Sequence, residues 1–321
     1  MKVLVYGFYG KGNIGDDLFV EAFQHLFPNL EFIFSETITS TMLQDIDTVF
    51  LGGGSFLHDN PDITPSAFLE LKSKKIFYLG VGVESYIHPK HLELMSLAKL
   101  IATRSIDQVD RLKTINSNVI YIPDLVYSLQ NKAQLSEKIG KSVLIMPNVS
   151  VLPNCLSLHW EHAAWSYFKS EFCQFLDTVV DDGWKLSFFS MCHAERLEDD
   201  WAANELIGHM ARRSNKFLLI NRPNKIEDVT KLISSYDLII TQRFHGIVLS
   251  EMTRAPYISI HHHDKLKASQ PRDGAFISYY NGSKQSFIDT FNKTIKMKFT
   301  SELPVEPAIF KAFTTEVINL L

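Results

Sequence analysis

Short apolar runs of strand length alternate with amphipathic segments of helix length along almost the whole chain of 321 residues. Parallel sheets covered on both faces produce this pattern, because their strands are buried on both sides and each crossover between them is a helix. The alternation is interrupted by one polar stretch, YSLQNKAQLSEKIGK, and restarts with SVLIM. We therefore predict an α/β fold with two Rossmann-like parallel-sheet domains that face a cleft, one formed by residues 1–134 and the other by residues 135–321.

The apolar runs place the individual elements. In the first domain the strands are predicted at Val3–Tyr6, Phe32–Phe34, Thr48–Leu51, Ile76–Leu79, Leu100–Thr103 and Val119–Ile122, and in the second at SVLIM, WKLSFF, KFLLI, DLIIT and YISI. The segment SIDQVDRLKTI predicts a helix, and its Ser105 and Gln108 have the spacing of a capping box. The final segment, VEPAIFKAFTTEVINLL, predicts a helix with no strand after it. In two-domain folds of this kind such a helix often packs back across the junction.

Charge and composition exclude several classes of protein. The formal net charge is −4 and the chain has no long basic run, so a protein that coats nucleic acid is not expected. The three cysteines are far apart and odd in number, which indicates a reducing compartment. No apolar stretch reaches the roughly 18 residues that a bilayer span needs. We expect a cytoplasmic protein without an integral membrane segment.

The first strand is followed by a literal G-x-G-x-x-G at Gly10, Gly12 and Gly15, and Glu36 follows about 20 residues later, as in a dinucleotide-binding unit. Two features disfavour that interpretation. The glycines begin only after the strand has ended, and the third is followed at once by two aspartates, which compete with a pyrophosphate for the positive end of the helix. The alternative is a glycine-rich turn capped by its own aspartates.

Ligands of open parallel sheets bind outside the carboxyl ends of the strands, and the turn after DLIIT has the strongest chemical signal there. Arg243 and His245 follow this strand and stand at the start of the helix GIVLSEM. Cations at a helix N-terminus are mildly unfavourable, unless an anion binds to the guanidinium, the imidazole and the helix end together. The simpler alternative is a loop arginine and histidine paired with neighbouring acids.

The triplet His261–His263 resembles a metal cluster, but neighbouring residues in an extended chain point to opposite sides. We therefore predict a polar strand end and no metal. Cys192 and His193 lack the paired spacing of a zinc site.

The segments GNIGDD, GGGSF, ATRSIDQVDRL, PDLVYSL and QRFHGIVLSEMTRAPYISIHHHDK, in this order, closely resemble the polysaccharide pyruvyl transferase family. The resemblance implies a two-domain architecture like that of the GT-B glycosyltransferases. It also implies phosphoenolpyruvate as the donor substrate, a sugar residue of a polysaccharide or glycan precursor as the acceptor, a pyruvate ketal as the product, and no cofactor. The first glycine-rich turn then corresponds to the family's Gly-Asn-x-Gly-Asp loop.

The resemblance assigns roles to individual residues. His245 matches the catalytic position, with Asp16 as a candidate acid/base partner. The substrate-binding candidates are Arg243, Phe244, Arg104, Lys265, Asn13, Gly53 and Glu84. Ser105 stands where an acidic residue is expected after the first-domain arginine. On this assignment the first domain binds the acceptor and part of the donor, and the second domain binds the donor.

Chemical reasoning agrees with these roles. Phosphoenolpyruvate carries about three negative charges, which must be balanced when it leaves water, and Arg243, Arg104 and Lys265 supply that balance. Imidazole titrates near neutral pH, which suits His245 to acid/base work, with Asp16 or Glu84 as partner. The catalytic base stays open.

Three other functions remain to be tested. They are a GT-B-like glycosyltransferase that uses a nucleotide sugar, a dehydrogenase, and a glycan-binding relative without activity. Expected partners are phosphoenolpyruvate, a sugar or glycan acceptor and, transiently, membrane-bound enzymes of glycan assembly.

Overall fold

The computed structural model describes residues 1–153, 157–193, 198–211, 217–219, 223, 225–262, 274–297 and 304–321. The chain forms two compact units. The first comprises Met1–Lys11, Asp16–Asn131 and Val305–Leu321, and the second comprises Gly12–Gly15 and Lys132–Pro304.

The first unit contains a sheet of six parallel strands. These are β1 (Lys2–Tyr6), β2 (Glu31–Ser35), β3 (Thr48–Gly54), β4 (Lys75–Val81), β5 (Leu100–Thr103) and β6 (Val119–Tyr121), in the order β2-β1-β3-β4-β5-β6. The helices of this part of the chain are α1 (Ile14–Leu26), α2 (Ser40–Leu43), α3 (Pro65–Leu71), α4 (Pro89–Leu97) and α5 (Val109–Lys113), with 3-10 turns at Ile106–Gln108 and Leu125–Lys132. Strands β3 and β4 are almost wholly buried, which explains their continuous apolar runs.

The direction of winding of this first sheet reverses between β1 and β3, which are neighbours although β2 lies between them in sequence. Such a switch point leaves a crevice at the carboxyl ends of the two strands. The loop after β1 and the end of β3 meet there, because the buried hydroxyl of Tyr9 donates a hydrogen bond to the carbonyl oxygen of Gly52. Burial raises the pKa of Tyr9 well above its ordinary value.

The second unit contains another parallel sheet. Its strands are β7 (Ser142–Met146), β8 (Lys185–Phe188), β9 (Phe217–Leu219), β10 (Leu238–Thr241), β11 (Tyr257–His261) and β12 (Gly274–Ser278), in the order β12-β11-β10-β7-β8-β9. The helices are α6 (His159–Asp181), α7 (Asp199–His209), α8 (Ile226–Ser234), α9 (Phe244–Thr253) and α10 (Lys284–Thr294), with a 3-10 turn at Val149–Val151. The switch point of this sheet lies between β7 and β10.

Aromatic side chains fill much of the second core. Phe168, Phe172 and Phe175 recur at helical spacing on α6 and present one continuous face. The Phe172 and Phe175 rings pack on Phe287 of α10, with centroid separations of 5.1 and 5.5 Å. This packing fixes α6 and α10 on the same face of the sheet.

The C-terminal helix α11 (Pro307–Leu320) groups with the first unit. The Phe313 ring packs edge-on against Phe27 at 6.0 Å, and the Gln130 side-chain amide donates to the carbonyl oxygen of Val305 at 2.6 Å. The carbonyl oxygen of Leu321 accepts from the Lys75 ammonium. These contacts hold the last helix within the unit that contains β1 to β6.

The predicted fold class, two parallel-sheet α/β domains, is confirmed. Strand β12 was not among the predicted strands, since its glycine, serine and half-exposed positions do not form an apolar run. The predicted capping box is wrong. The Ser105 hydroxyl forms no cap and instead accepts the N–H of Val83 at 3.0 Å, which ties the loops after β4 and β5 together.

None of the helices in the described ranges is both long enough and apolar enough to cross a membrane.

Candidate functional site

The switch point of the second sheet places Asn148, which follows β7, beside Gln242, which follows β10. The Asn148 N–H donates to Gln242 Oε1 at 3.0 Å, and the Gln242 N–H donates to the carbonyl oxygen of Met146 at 2.9 Å. Gln242 is buried, and within the described residues its Nε2 has no hydrogen-bond partner. A buried donor without a partner is costly, so this amide is a ready contact for a ligand.

Arg243, the N-cap residue of α9, is held by a buried carboxylate. Its Nε donates to Asp199 Oδ2 at 3.0 Å, and its Nη2 donates to Asp199 Oδ1. The Arg243 side chain is 19% exposed, whereas that of Asp199 is fully buried. No hydrogen bond from Nη1 is found in the part of the chain that the structure describes. The two-point contact therefore orients the guanidinium and leaves one edge for an anion.

Asp199 is itself fixed by the backbone. It begins α7 and accepts N–H groups from Val149, Met191 and Cys192 at 3.0, 3.2 and 3.0 Å. Burial raises the pKa of Asp199, while the Arg243 guanidinium and the bound N–H groups act against that rise. The carboxylate thus depends on Arg243 for its charge, and Arg243 depends on the carboxylate for its position.

His245 stands in the first turn of α9 and packs directly against Gly15 of the first glycine-rich turn. A Cβ atom at Gly15 would lie 2.6 Å from Cγ of the imidazole, a separation that real side chains do not tolerate. Phe244 contacts the same imidazole edge-on, with ring centroids 5.4 Å apart. The next residue, Gly246, is close-packed as well, because its Cβ would lie 2.9 Å from Cβ of Thr241. Glycine is therefore required at both positions for steric reasons.

The stretch Gly12–Ile14 pairs with the loop after β8 in an antiparallel manner. The Ile14 N–H donates to the carbonyl oxygen of Met191 at 2.9 Å, and the His193 N–H donates to that of Gly12 at 2.8 Å. Asn13 forms a bridge with the same loop, and its side-chain oxygen accepts the N–H of Gly15 at 3.2 Å. Asn13 therefore shapes the turn that receives His245.

The amide groups of the G-x-G-x-x-G sequence bind the chain's own side chains. The Gly10 N–H donates to Asp17 Oδ1 at 2.8 Å, and the Gly15 N–H donates to Asn13. A dinucleotide fingerprint needs such groups, and the space above the glycines, for a pyrophosphate. The His245 ring fills that space at Gly15, so the geometry disfavours a dinucleotide site in this turn.

In the first unit, Arg104 forms a buried ion pair with Asp124. The two side chains are 8% and 1% exposed, and the arginine Nη2 also donates to Ser55 Oγ at 3.1 Å. Asp124 in turn accepts the N–H of Val126 at 3.0 Å. Arg104 therefore joins the loops that follow β3, β5 and β6.

Asp16, Gly53 and Glu84 lie at the same edge of the first sheet. The Asp16 carboxylate lies near Gly54, whose Cβ would be 3.1 Å from Asp16 Oδ1, and its charge adds to the rise in the pKa of Tyr9 that burial causes. Gly53 is buried with a φ of 68°, and its Cα packs on the Phe19 ring. Glu84 is half-buried, and one of its carboxylate oxygens lies 3.8 Å from Nδ1 of His58.

Four residues of the sequence-based hypotheses lie outside the described part of the chain, namely Lys265, His263, Asp264 and Cys155. His261 ends β11 with its ring stacked on Phe276, and the ring of the following His262 lies 3.2 Å from the Asn148 amide nitrogen. Over the described part of the chain, no three His, Cys, Asp or Glu side chains are arranged to hold a metal ion.

The structure thus brings Asn13, Arg243, Phe244 and His245 together in the second unit, and it brings Asp16, Gly53, Glu84 and Arg104 to one edge of the first sheet. Sequence reasoning missed Asp199, Asn148 and Gln242. Asp199 has only a weak local signal, an acidic pair at the start of a helix, because its partner Arg243 is 44 positions away.

Comparison with known proteins identifies one family and several solved structures of similar fold. A family model described as Polysaccharide pyruvyl transferase matches residues 13–264. No curated protein matches the chain by sequence.

Three of the solved structures that have a similar fold illustrate the likeness. The UDP-GlcNAc 2-epimerase of Methanocaldococcus jannaschii in complex with UDP-GlcNAc and UDP has a TM-score of 0.65 at 9% identity, covering 99% of this chain and 100% of that chain. MnaA of S. aureus with UDP has a TM-score of 0.64 at 11% identity, covering 100% and 97%. The UDP-GlcNAc 2-epimerase of Neisseria meningitidis bound to UDP-GlcNAc has a TM-score of 0.58 at 10% identity, covering 99% and 100%. At these identities the likeness is one of fold alone, that of the GT-B-like enzymes.

Proposed function

The chain belongs to the polysaccharide pyruvyl transferase family, and from that membership we propose that it transfers the pyruvyl group of phosphoenolpyruvate to two hydroxyls of a sugar residue in a polysaccharide or glycan precursor. The product is a pyruvate ketal, and inorganic phosphate is released. The observation that carries this proposal is that β10, at the switch point of the second sheet, is followed by Arg243, whose guanidinium is anchored by Asp199, and two residues later by the imidazole of His245.

The donor binds at the edge of Arg243 that Asp199 does not use. A guanidinium held at two points presents its remaining donors with fixed geometry, which suits a planar carboxylate or a phosphate. The Gln242 amide and the N-terminus of α9 add neutral donors to the same anion. Because Asp199 already compensates the charge of Arg243, further cationic charge comes from elsewhere, and Lys265 is the candidate.

His245 delivers a proton to the methylene carbon of the donor. The central carbon then becomes an oxocarbenium-like electrophile, and an acceptor hydroxyl attacks it while losing its own proton to a base. Phosphate then leaves, and the second hydroxyl attacks the same carbon and closes the ketal, passing its proton to the departing phosphate. The proton that the base took from the first hydroxyl replaces the one that His245 delivered. Phosphoenolpyruvate and a diol thus yield the ketal and hydrogen phosphate. Asp16 and Glu84 are the candidates for the base.

Phosphate release from phosphoenolpyruvate tests the function directly. The purified protein is assayed against a panel of mono- and oligosaccharide acceptors, and products are identified by mass spectrometry and acid-labile release of pyruvate. We expect phosphate release that requires an acceptor, with one pyruvate ketal formed for each phosphate. Release without ketal formation would contradict the proposal.

A thermal-shift comparison separates this function from its rivals. We expect phosphoenolpyruvate to raise the melting temperature and UDP, GDP and NADH to leave it unchanged. Stabilisation by UDP or GDP alone would instead favour a nucleotide-sugar glycosyltransferase, and stabilisation by NADH alone would favour a dehydrogenase.

A further inference from the structure

Two large aromatic side chains of the second unit are exposed side by side. Trp160 stands in the first turn of α6 and is 55% exposed, and Tyr280 follows β12 and is 47% exposed. Their ring centroids are 6.3 Å apart and their planes are inclined by 46°, which makes a shallow V. Tyr280 is supported from beneath by the buried Tyr279, whose ring meets it edge-on at 5.1 Å. The pair is therefore held in place without being covered.

This aromatic pair is connected to the candidate donor site by a short series of contacts. The Tyr279 hydroxyl donates to the carbonyl oxygen of Val151, the last residue of the 3-10 turn that follows β7. The first residue of the same turn, Val149, donates its N–H to Asp199, which anchors Arg243. The Trp160–Tyr280 pair thus lies at the same edge of the second sheet as Arg243.

Trp160 and Tyr280 together form one contiguous aromatic patch at the surface, and contiguous exposed apolar patches are typical of binding surfaces. The negative π-face of an aromatic ring attracts C–H groups that carry partial positive charge, and a pyranose ring presents such groups on its apolar face. Exposed polar side chains adjoin the pair in sequence, namely His159, His162 and Asn281, and these suit sugar hydroxyls. The net charge of −4 argues against an anionic lipid surface or a nucleic acid.

We propose that Trp160 and Tyr280 form a stacking platform for a pyranose ring of the glycan acceptor, at a subsite separate from the sugar that receives the pyruvyl group. The assignment of this saccharide as the acceptor rests on the function proposed above. Binding of a saccharide by the platform does not depend on it.

Variants of the pair test the platform, and Tyr167→Ala provides a matched control. Tyr167 is also an exposed aromatic residue of α6, at 44%, but it has no ring partner among the described residues. We expect Trp160→Ala and Tyr280→Ala each to weaken binding to immobilised oligosaccharides, measured without phosphoenolpyruvate, by about tenfold, the effect of losing one stacked ring. Trp160→Phe should keep most of the binding, and Tyr167→Ala should keep all of it.

Kinetics then link the platform to the reaction. For an oligosaccharide acceptor, Trp160→Ala should raise KM about tenfold with kcat nearly unchanged. For the matching monosaccharide KM should not move, and the thermal shift caused by phosphoenolpyruvate should match that of the unsubstituted protein. If phosphoenolpyruvate stabilises no form of the protein, the proposed function is refuted. The binding of the variants to immobilised oligosaccharides then decides whether the aromatic pair binds a saccharide.

Normal oligosaccharide KM in an active Trp160→Ala enzyme would overturn the platform alone. The platform is also wrong if Trp160→Ala converts a dimer into a monomer in light scattering, because the pair is then a contact between copies of the chain. If the Trp160→Ala variant loses binding to anionic phospholipid vesicles but keeps its binding to saccharides, the pair is a membrane contact. That result would also refute the proposal.

Discussion

The imidazole of His245 lies directly on the backbone of Gly15, so that the Gly-Asn-x-Gly-Asp turn and the Arg-Phe-His-Gly turn meet without room for a single methyl group between them. The two sequence motifs are therefore one steric unit. The φ of Gly15 is not in the left-handed region, so its backbone conformation does not require glycine. Glycine is needed there because a side chain would occupy the position of the His245 ring.

Gly15→Ala should damage activity by displacing His245. A catalytic group misplaced by about 1 Å loses on the order of 100-fold in rate, so we expect kcat for phosphate release to fall by about that factor. His245→Ala, which removes the imidazole altogether, should lower kcat for phosphate release by about 100- to 10,000-fold and serves as the reference. The measurement is steady-state phosphate release at saturating phosphoenolpyruvate.

Gly208→Ala is the matched control for this substitution. Gly208 lies within α7 with open space where a Cβ would stand, and alanine should raise helix stability there by about 0.5 to 1 kcal/mol. It should leave kcat unchanged. Full activity of Gly15→Ala, with an unchanged melting temperature, would mean that the position of the imidazole does not matter for turnover.

Asp199→Asn should weaken donor use although Asp199 touches no substrate in the proposed mechanism. Asparagine keeps the shape but offers one acceptor oxygen in place of two, so the Arg243 guanidinium loses half of its anchor. We expect KM for phosphoenolpyruvate to rise about tenfold or more, with a smaller change in kcat, and stability to fall by about 3 kcal/mol, as when a buried pair is broken. Calorimetric titration of phosphoenolpyruvate and urea unfolding measure the two effects.

A control from the same helix distinguishes this effect from general damage to α7. Glu205 pairs with Lys169 on the exposed surface, and Glu205→Gln should change stability by less than about 1 kcal/mol and leave the KM untouched. Unaltered phosphoenolpyruvate binding by a folded Asp199→Asn protein would show that Arg243 needs no anchor.

Arg243→Lys should impair donor use severely although the charge is kept. An ammonium does not reproduce the planar fork that contacts Asp199 on one edge and an anion on the other. We expect a loss in kcat/KM that corresponds to roughly 2 kcal/mol or more. Initial rates at low phosphoenolpyruvate measure it, and normal donor kinetics in this variant would place the anion elsewhere.

Two substitutions distinguish a structural role of Arg104, the compensation of buried Asp124, from a role in binding the donor. Arg104→Met leaves Asp124 buried without its cation, and we expect it to cost about 3 to 5 kcal/mol of stability. Adding Asp124→Leu should restore most of this loss. If the double variant is stable and still binds phosphoenolpyruvate normally, Arg104 is structural; if it is stable but has lost donor binding, Arg104 contacts the donor.

The buried His91 should make the stability of the protein depend on pH. Burial lowers its pKa from 6.5 to about 4, with the charges of His88, His58 and Lys90 acting in the same direction. Between these two pH values the unfolded chain takes up a proton that the folded protein does not, so the free energy of unfolding should decrease as the pH falls from 6.5 to 4. The full decrease is roughly 3 kcal/mol.

Urea unfolding of the wild type and of His91→Gln, between pH 7.5 and 4 (roughly the range that spans both states of imidazole), checks this dependence. Glutamine keeps a polar partner for Tyr78, whose hydroxyl lies 3.2 Å from the imidazole Nδ1, but does not titrate. The wild-type curve should fall more steeply than that of the variant. Parallel curves would show that His91 is not the group responsible.

The sequence predicts those parts of the fold in which each strand is buried on both faces, because such strands are apolar throughout. The run Thr48–Leu51 is recognisable for this reason, and Gly274–Ser278, at the edge of its sheet with half-exposed residues, is not. The motif residues Arg243 and His245 stand out because basic side chains at the start of a helix are unfavourable and therefore unusual. Asp199 breaks no rule, since an acid at a helix start is ordinary, and its function depends on a distant partner.

The pairing of Gly12–Ile14 with the loop after β8 has a consequence for how the protein acquires its structure. The partners of this short turn, Met191, His193 and His245, are separated from it by most of the chain. Contacts of such long sequence separation form late, since the loop-closure entropy must first be overcome. A fragment cut at the polar linker would contain the second sheet without the turn that supports His245, so the two units are not modules that can be exchanged between proteins by simple splicing. Grafting the second unit onto another scaffold would require the four residues Gly12–Gly15 to travel with it.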